Sequence, residues 1–152
     1  MSSEGGKGCS EIGARRAPDV RPWYAEGLRF QCVPGCRRCC MGFPGDVFVT
    51  DGEIAAMAAF LGMTDDEFRA SFVRPASGFR LSLRERGDDE CVMLDRDGCS
   101  VYAVRPSQCR TFPFWPEILS SPHAWERQAA TCPGMNSGRL YTREEIEALA
   151  AL

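Results

Sequence analysis

The chain has 152 residues, of which 44% are hydrophobic and 26% charged, and its formal net charge is −3. This length and balance are typical of one folded domain and argue against a disordered chain. All basic residues except Lys7 are arginines, and they are interspersed with acidic residues, so no basic stripe indicates a nucleic-acid partner. The longest apolar run, residues 54–63, has about half the length of a membrane-spanning helix, so we expect no membrane partner either.

The first stretch of the chain, residues 1–22, is rich in Gly, Ser and Arg and contains Pro18 and Pro22. It has no apolar segment of the kind that a secretory signal peptide contains. We therefore expect a disordered leader on a protein of the reducing cytoplasm, followed by one domain over residues 23–152. Cys9 lies in this leader, and we expect it to take no part in a site.

The cysteine-rich loop, residues 30–40, contains four cysteines and a Pro34-Gly35 turn signal. We predict an irregular loop, because several side chains must converge on one point to bind a metal. Cys39 and Cys40 are adjacent, and adjacent side chains of an extended chain point to opposite faces. In that conformation the two thiols would serve two different centres, or one would stay free beside an occupied site.

Three helix starts carry one signature, in which a Thr is followed three residues later by Glu and both are flanked by apolar residues. The three pairs are Thr50/Glu53, Thr64/Glu67 and Thr142/Glu145. A short strand over residues 46–49 should precede the first helix, Gly62 should end it, and the last helix should reach about Ala150. Capping accounts for Glu53, so we do not assign it to metal binding or acid–base chemistry.

The middle of the chain is predicted to be rich in β-structure. Residues 79–84 alternate as in a half-buried strand, with Phe79, Leu81 and Leu83 on one face. Residues 91–94 and 99–102 flank Asp95-Arg96-Asp97-Gly98 and predict a hairpin in which Asp97-Gly98 supplies the positive φ angles.

Short helices are predicted in the last third of the chain. Residues 105–110 should form a helical turn with Pro106 as its first residue, and Ser121-Pro122 should start a helix that ends near Ala130. The aromatic segment between them, residues 112–116, should pack in the core or shield a centre. Together the elements predict an α+β fold: a small, loop-rich domain with a short hairpin or sheet and several short helices assembled around a cysteine metal centre.

Eight cysteines remain once Cys9 is set aside: Cys32, Cys36, Cys39, Cys40, Cys91, Cys99, Cys109 and Cys132. The expected reducing compartment, the odd total of nine and the awkward vicinal pair favour metal ligation over a disulfide scaffold. Thiolates select zinc or iron–sulfur clusters. Two four-cysteine zinc sites would use all eight thiols, whereas one [4Fe–4S] cluster would leave four for zinc or redox work, and the spacing does not separate these alternatives.

Four arginines and one histidine are candidates for supporting roles near the cysteines. Arg37, Arg38, Arg105 and Arg110 adjoin cysteines or lie near them in sequence. One hypothesis is that some of them donate hydrogen bonds to sulfur and offset the negative charge of the site; the alternative is ordinary surface arginines. His123 has no spaced partner, so we expect a surface or core histidine rather than a ligand.

Three motifs together resemble the YkgJ-type cysteine-cluster family, the CxxCxxCC domain, which is described as zinc- or iron-chelating. They are Phe30-x-Cys32…Cys36-x2-Cys39-Cys40, then Cys99-Ser-Val-Tyr102-x2-Arg105-Pro106-x-Gln108-Cys109-Arg110-x-Phe112-Pro113-Phe114, then Cys132-Pro-Gly. The resemblance covers roughly residues 28–150 and implies that the eight cysteines are the ligand set. One departure is the three-residue gap between Cys32 and Cys36, where the family motif has two residues.

Three functions stay open from the sequence. The first is a protein that binds zinc or an iron–sulfur cluster for structure, storage or delivery, without catalysis. The second, implied by the resemblance, is an iron–sulfur oxidoreductase or a methylase-like enzyme related to flagellin lysine N-methylase. The third is a zinc-stabilised adaptor for a protein partner. The chain has no Gly-rich dinucleotide loop and no Cys–His or carboxylate pair in an obvious motif, which favours the first function.

Overall fold

The computed structural model describes residues 20–42 and 45–152. The helices of this part are α1 Asp51–Phe60, α2 Asp65–Phe72, α3 Ser107–Thr111, α4 Pro116–Leu119, α5 Pro122–Ala129 and α6 Arg143–Ala150. The strands are β1 Leu28–Phe30, β2 Val47–Val49, β3 Val73–Pro75, β4 Leu81–Leu83, β5 Glu85–Arg86, β6 Glu90–Cys91, β7 Leu94–Asp95, β8 Gly98–Cys99 and β9 Met135–Tyr141. The predicted α+β class is confirmed. Most of the expected leader, including Cys9, lies outside the described residues, so the leader stays a prediction.

All three predicted capping boxes are present at the starts of α1, α2 and α6. In each box the Thr hydroxyl accepts a hydrogen bond from the Glu amide, and the Glu carboxylate accepts one from the Thr amide. The predicted end of α1 is also confirmed, because Gly62 has φ 70° and its amide bonds back to Ala59 at 3.1 Å. The Met63 amide reaches Ala58 O at 2.9 Å, which completes a Schellman motif.

The central sheet has the order β2-β4-β3 with antiparallel pairing throughout. Its middle strand, β4, is shorter than the predicted strand over 79–84, and the predicted alternation is wrong at two positions. Phe79 is fully exposed with φ 58°, because it lies in a turn with Gly78. Ser82 is fully buried between β2 and β3, where its hydroxyl accepts from the Val47 amide at 3.0 Å and donates to Leu83 O at 2.9 Å.

The predicted hairpin forms between β7 and β8, with Leu94 opposite Cys99 and Asp95 opposite Gly98. Gly98 has φ 122°, but Asp97 does not take the positive φ that we expected of it. The Asp97 amide instead donates to Asp95 Oδ1 at 2.9 Å, and this side-chain acceptor shapes the turn. Cys91, expected in the same hairpin, lies in the separate β5–β6 pair.

The predicted helices of the last third are confirmed, with one correction at a boundary. α5 starts after Ser121, whose hydroxyl accepts a hydrogen bond from the Ala124 amide at 3.1 Å. Pro106 precedes α3 as its N-cap rather than being its first residue, since its ψ of 153° is not helical. The short helix α4 had no counterpart among the predicted helices.

Two hydrophobic cores are present. The first lies between α1, α2 and the three-stranded sheet, and Cys91 and Cys99 are packed against it. The second contains Phe114, Trp125 and Ile146 and has Cys132 at its edge. The cysteines therefore lie against both cores. Within residues 20–42 and 45–152, none of the helices has the length and hydropathy needed to cross a bilayer.

Candidate metal centre

The first loop of the site is shaped by a tight turn. The Cys36 amide donates to Val33 O at 3.0 Å, and Gly35 has φ 72°. A turn with Pro34 before a glycine of positive φ is type II, which confirms the predicted turn signal. This turn folds the chain back between Cys32 and Cys36.

Cys132 is brought beside this loop by a close backbone approach. The Gln31 amide donates to Gly134 O at 3.0 Å. A Cβ atom added to Gly134 would lie 2.3 Å from Gln31 O, so only glycine allows this approach. The glycine of the late Cys-Pro-Gly motif thus places Cys132 next to the segment that carries Cys32.

The adjacent cysteines adopt a conformation that we did not predict. Cys39 and Cys40 lie in a 3-10 turn, Arg38–Cys40, in which successive side chains are about 120° apart rather than on opposite faces. Their sulfur atoms are 3.8 Å apart. Two thiolates bound to one tetrahedral metal at about 2.3 Å would be separated by about 3.8 Å, so this pair has the spacing of two ligands of one ion.

The two thiols of this pair differ in acidity. The hydrogen bond from the Cys40 thiol lowers the pKa of Cys39 to about 7, against the effect of burial and with help from the charge of Arg105. The same hydrogen bond, together with burial and neighbouring thiolates, raises the pKa of Cys40. Above a pH of about 7 the pair therefore holds one negative charge, centred on Cys39 Sγ.

One group of four cysteines lines a common cavity of about 320 Å³: Cys32, Cys36, Cys39 and Cys132. Phe30, Phe112 and Trp115 form part of the same wall. Burial raises the pKa of Cys132, and the charges of Cys36 and Cys39 raise it further. These four thiols thus share one space that is walled in part by aromatic rings.

Cys91, Cys99 and Cys109 are the other three thiols near the pair, and the charges of Cys91 and Cys99 raise the pKa of Cys40. Burial raises the pKa of Cys109 to about 12, and the charges of Cys91, Cys39 and Cys99 contribute. Burial also raises the pKa of Cys91 and of Cys99. Each of these three thiols therefore lies within electrostatic reach of Cys39.

Thiol side chains are suitable ligands for a thiophilic metal, but their sulfur atoms do not lie in the positions of a metal-bound site. All eight cysteines of the described part are free thiols. Among the same residues, no three Cys, His, Asp or Glu side chains converge closely enough to hold a metal ion as they stand. His123 is exposed on α5, in keeping with the surface histidine that we expected.

Among the arginines near the site, Arg105 affects the pKa values of the thiols through its charge. Arg105 lowers the pKa of Cys39, and its charge also lowers those of Cys99 and Cys109 against the larger effect of burial. Within the described residues, no arginine donates a hydrogen bond to sulfur, which was the other half of the hypothesis. Arg37 pairs with Glu90 at 3.9 Å, and its buried Nε has no partner among these residues.

Two polar residues that sequence reasoning missed hold the helix of Cys109 in place. The Gln108 side chain donates to Asp46 O at 3.0 Å and accepts from the Phe48 amide at 2.9 Å, which ties α3 to β2. Glu53 accepts from the Ser107 amide at 2.7 Å with the oxygen that does not serve its own capping box. Capping alone therefore does not account for Glu53, and no local signal in the sequence marks this second role.

The hydrogen bonds to Glu53 change the pKa of its carboxyl group. Burial acts to raise the pKa of this carboxyl group, but the Ser107 and Thr50 donors outweigh burial and leave the pKa lowered. Glu53 is thus a carboxylate at neutral pH and joins the starts of two helices.

Comparison with known proteins gives two findings. A family model described as "CxxCxxCC: Putative zinc- or iron-chelating domain" matches residues 31–133, which include all eight cysteines. The chain is also 32% identical over 93 residues to the uncharacterized protein MJ0661 of Methanocaldococcus jannaschii, a match that covers 60% of this chain and 48% of that protein. The chain thus spans about half the length of this relative. No solved structure gives a significant match.

Proposed function

This chain belongs to the CxxCxxCC family of zinc- or iron-chelating domains, and from this membership we propose that it binds zinc or iron through the thiolates of its eight cysteines. The eight are Cys32, Cys36, Cys39, Cys40, Cys91, Cys99, Cys109 and Cys132. In this proposal the metal holds the two hydrophobic cores together, and its primary role is structural or the handling of metal or electrons.

The observation that carries the proposal is the clustering of the thiols around the close pair Cys39–Cys40. Cys32, Cys36 and Cys132 share one cavity with Cys39, and Cys91, Cys99 and Cys109 lie within electrostatic reach of the pair. Four thiolates suffice for one tetrahedral zinc ion or for one iron–sulfur cluster. Two neighbouring metal positions would therefore use the complete set of eight.

The residues of the chain also fit the charge of such a centre. Arg105 contributes a positive charge near Cys39, Cys99 and Cys109. Phe30, Phe112 and Trp115 reduce the access of water to the first group. A bound zinc ion would act as a structural cation, and an iron–sulfur cluster would supply one-electron chemistry.

Anaerobic purification followed by elemental analysis and absorption spectroscopy tests this proposal. Brown protein that bleaches with dithionite would identify an iron–sulfur centre, whereas colourless protein with bound zinc would identify a zinc centre. Serine variants of each of the eight cysteines should lower the metal content, and Cys9→Ser is the matched control that should not. A protein that takes up neither metal after attempted loading, and that contains paired cystines, would contradict the proposal.

A structural role makes a separate prediction for the metal-free protein. Because the ligands span residues 32–132 and adjoin both cores, chelation should abolish the cooperative thermal transition monitored by circular dichroism. Readdition of the metal should restore it. A chelated protein that keeps both its helix content and its cooperative transition would show that the centre is peripheral to the fold.

An electron-transfer or methylase-like role is the second proposal, and the cleft beside Cys32 favours it because a catalyst needs a substrate site next to its centre. Reversible reduction and reoxidation of a bound cluster without loss of iron would support it. The zinc-stabilised adaptor is the third, and it predicts a protein partner that is recovered only with metal-loaded protein.

A further inference from the structure

A second cleft, of about 660 Å³, is lined by Cys32 and by none of the other cysteines of the described residues. Its polar lining consists mainly of Tyr102, Arg105, Arg110, Arg139 and Glu145, and its apolar lining includes Phe30, Phe112, Phe114, Tyr141 and Leu149. Metal binding by the cysteines does not require these three arginines to line one cleft. The cleft is a candidate site of its own.

The cleft is positively charged although the chain is acidic. Three guanidinium groups and one carboxylate give 3 − 1 = +2 in the cleft, against −3 for the whole chain. Arg139 forms an ion pair with Glu145. Arg105 and Arg110 have no carboxylate partner among the residues that the structure describes, so two full positive charges face the cleft.

Both unpaired guanidinium groups are held in place by neutral partners. Arg105 donates to Tyr102 O at 2.9 Å and lies 3.9 Å above the Tyr102 ring. Arg110 donates to Ser107 Oγ at 2.9 Å. A guanidinium has five N–H donors, so both groups keep donors for a ligand, and their fixed positions lower the entropic cost of binding one.

The cleft also has an aromatic wall. Phe30 packs edge-to-face against Phe112 and Phe114, with ring centroids 6.2 and 6.1 Å apart. The Tyr141 ring lies beneath Arg139, 4.3 Å from its guanidinium carbon. A ligand that filled this cleft would therefore meet both guanidinium groups and aromatic rings.

We propose that this cleft binds a small molecule with a carboxylate or phosphate group on an aromatic or apolar body. Arginine side chains bind both anions with paired N–H donors, and the aromatic wall accommodates the body of the ligand. The proposal does not depend on which metal the cysteines bind. It places the ligand beside Cys32, at the edge of the cysteine cluster.

Titration of the full-length protein by isothermal calorimetry, with phenyl phosphate and phenylacetate as probes, tests the proposal. Benzyl alcohol, which lacks the charge, and inorganic phosphate, which lacks the ring, are the comparison ligands. Both aromatic anions, or one of them, should bind at least about tenfold more tightly than either comparison ligand. Equal affinities, or no binding of the two probes, would overturn the proposal.

Two variants locate the site. Arg139→Gln and Arg110→Gln should each weaken binding of the tighter probe by about tenfold, because each removes a charged donor. Arg69→Gln is the control, since Arg69 pairs with Asp51 on another surface. Metal content is measured in every sample. Arg139 is not next to a cysteine in the sequence. An Arg139→Gln variant that binds the probe as tightly as the wild type would therefore overturn the proposal. This conclusion would hold whatever metal content the Arg110→Gln variant has.

Discussion

Replacing Glu53 with Ala removes one carboxylate that joins the starts of two helices. Its two oxygens accept hydrogen bonds from the Thr50 amide at 2.9 Å and the Ser107 amide at 2.7 Å. The first bond completes the capping box of α1, and the second fixes the start of α3, which carries Cys109. The substitution should therefore affect both the stability of the fold and the position of a candidate ligand.

The size of the effect follows from these two bonds. Loss of a capping interaction costs about 1 kcal/mol. A hydrogen bond to a charged acceptor contributes about 1.5 kcal/mol at the lower end of its range, which suits a half-buried group such as Glu53. We therefore expect Glu53→Ala to lower the free energy of unfolding by about 2.5 kcal/mol.

Glu67→Ala is the matched control because Glu67 occupies the same position in the capping box of α2. Its carboxylate accepts from Thr64 alone and makes no bond to a second helix. Urea denaturation of both variants, each loaded with metal to the same level, gives the comparison. Glu53→Ala should be the less stable variant, and only Glu53→Ala should lose metal faster to a competing chelator.

Equal losses of stability in the two variants would refute the shared-cap reasoning. So would a Glu53→Ala variant that is less stable but retains metal as the wild type does, because the bond to Ser107 would then not position Cys109.

Three further predictions follow from the site and the sheet. In metal-free protein, Cys40→Ala should slow the alkylation of Cys39 by iodoacetamide at pH 7 by about tenfold, because the pKa of Cys39 rises from about 7 toward its ordinary value once the thiol donor is lost. Hydrogen bonds from Arg74 lower the pKa of Glu85, so the stability that this pair contributes is present above about pH 4.3 and is lost as the pH falls through the lowered folded-state pKa. Chemical denaturation between pH 6 and 3 should show this loss, and Arg74→Gln should reduce it. Gly134→Ala should cost about 1–3 kcal/mol in urea denaturation and lower the metal content, because its Cβ atom would lie 2.3 Å from a backbone oxygen.

Each of these has an outcome that would contradict it. An unchanged alkylation rate at Cys39 would show that the neighbouring thiol does not set its acidity. Identical pH profiles for the wild type and Arg74→Gln would exclude the ion pair as a source of acid sensitivity. Gly52→Ala, where an added Cβ atom meets open space, is the control for Gly134→Ala, and an equal effect of both would exclude the close approach.

Sequence reasoning was most accurate where the controlling residues are neighbours in the chain. The three Thr–Glu boxes, Gly62 at the end of α1 and the Pro34-Gly35 turn all form as predicted. Each depends on hydrogen bonds or φ angles within about four residues, so the local sequence contains all the information.

Prediction failed where packing partners decide the conformation. Ser82 is buried because its strand is the middle one of three, a fact that alternation within 79–84 does not contain. The opposite-facing thiols that an extended chain would give Cys39 and Cys40 do not occur, because the chain forms a 3-10 turn there. Strand β1 finds its partner in β9, more than 100 residues later in the chain, and nothing local to Leu28–Phe30 predicts that pairing.

The sequence by itself determined the kind of chemistry: eight thiols with no competing histidine pair, arranged in motifs of one family. Only the tertiary structure decided that Cys32, Cys36, Cys39 and Cys132 line one cavity, that Glu53 joins two helices, and that Arg105 and Arg110 face an aromatic cleft together. The reason is physical. A residue type sets which bonds a side chain can make, whereas its partners depend on contacts between segments that are far apart in the chain.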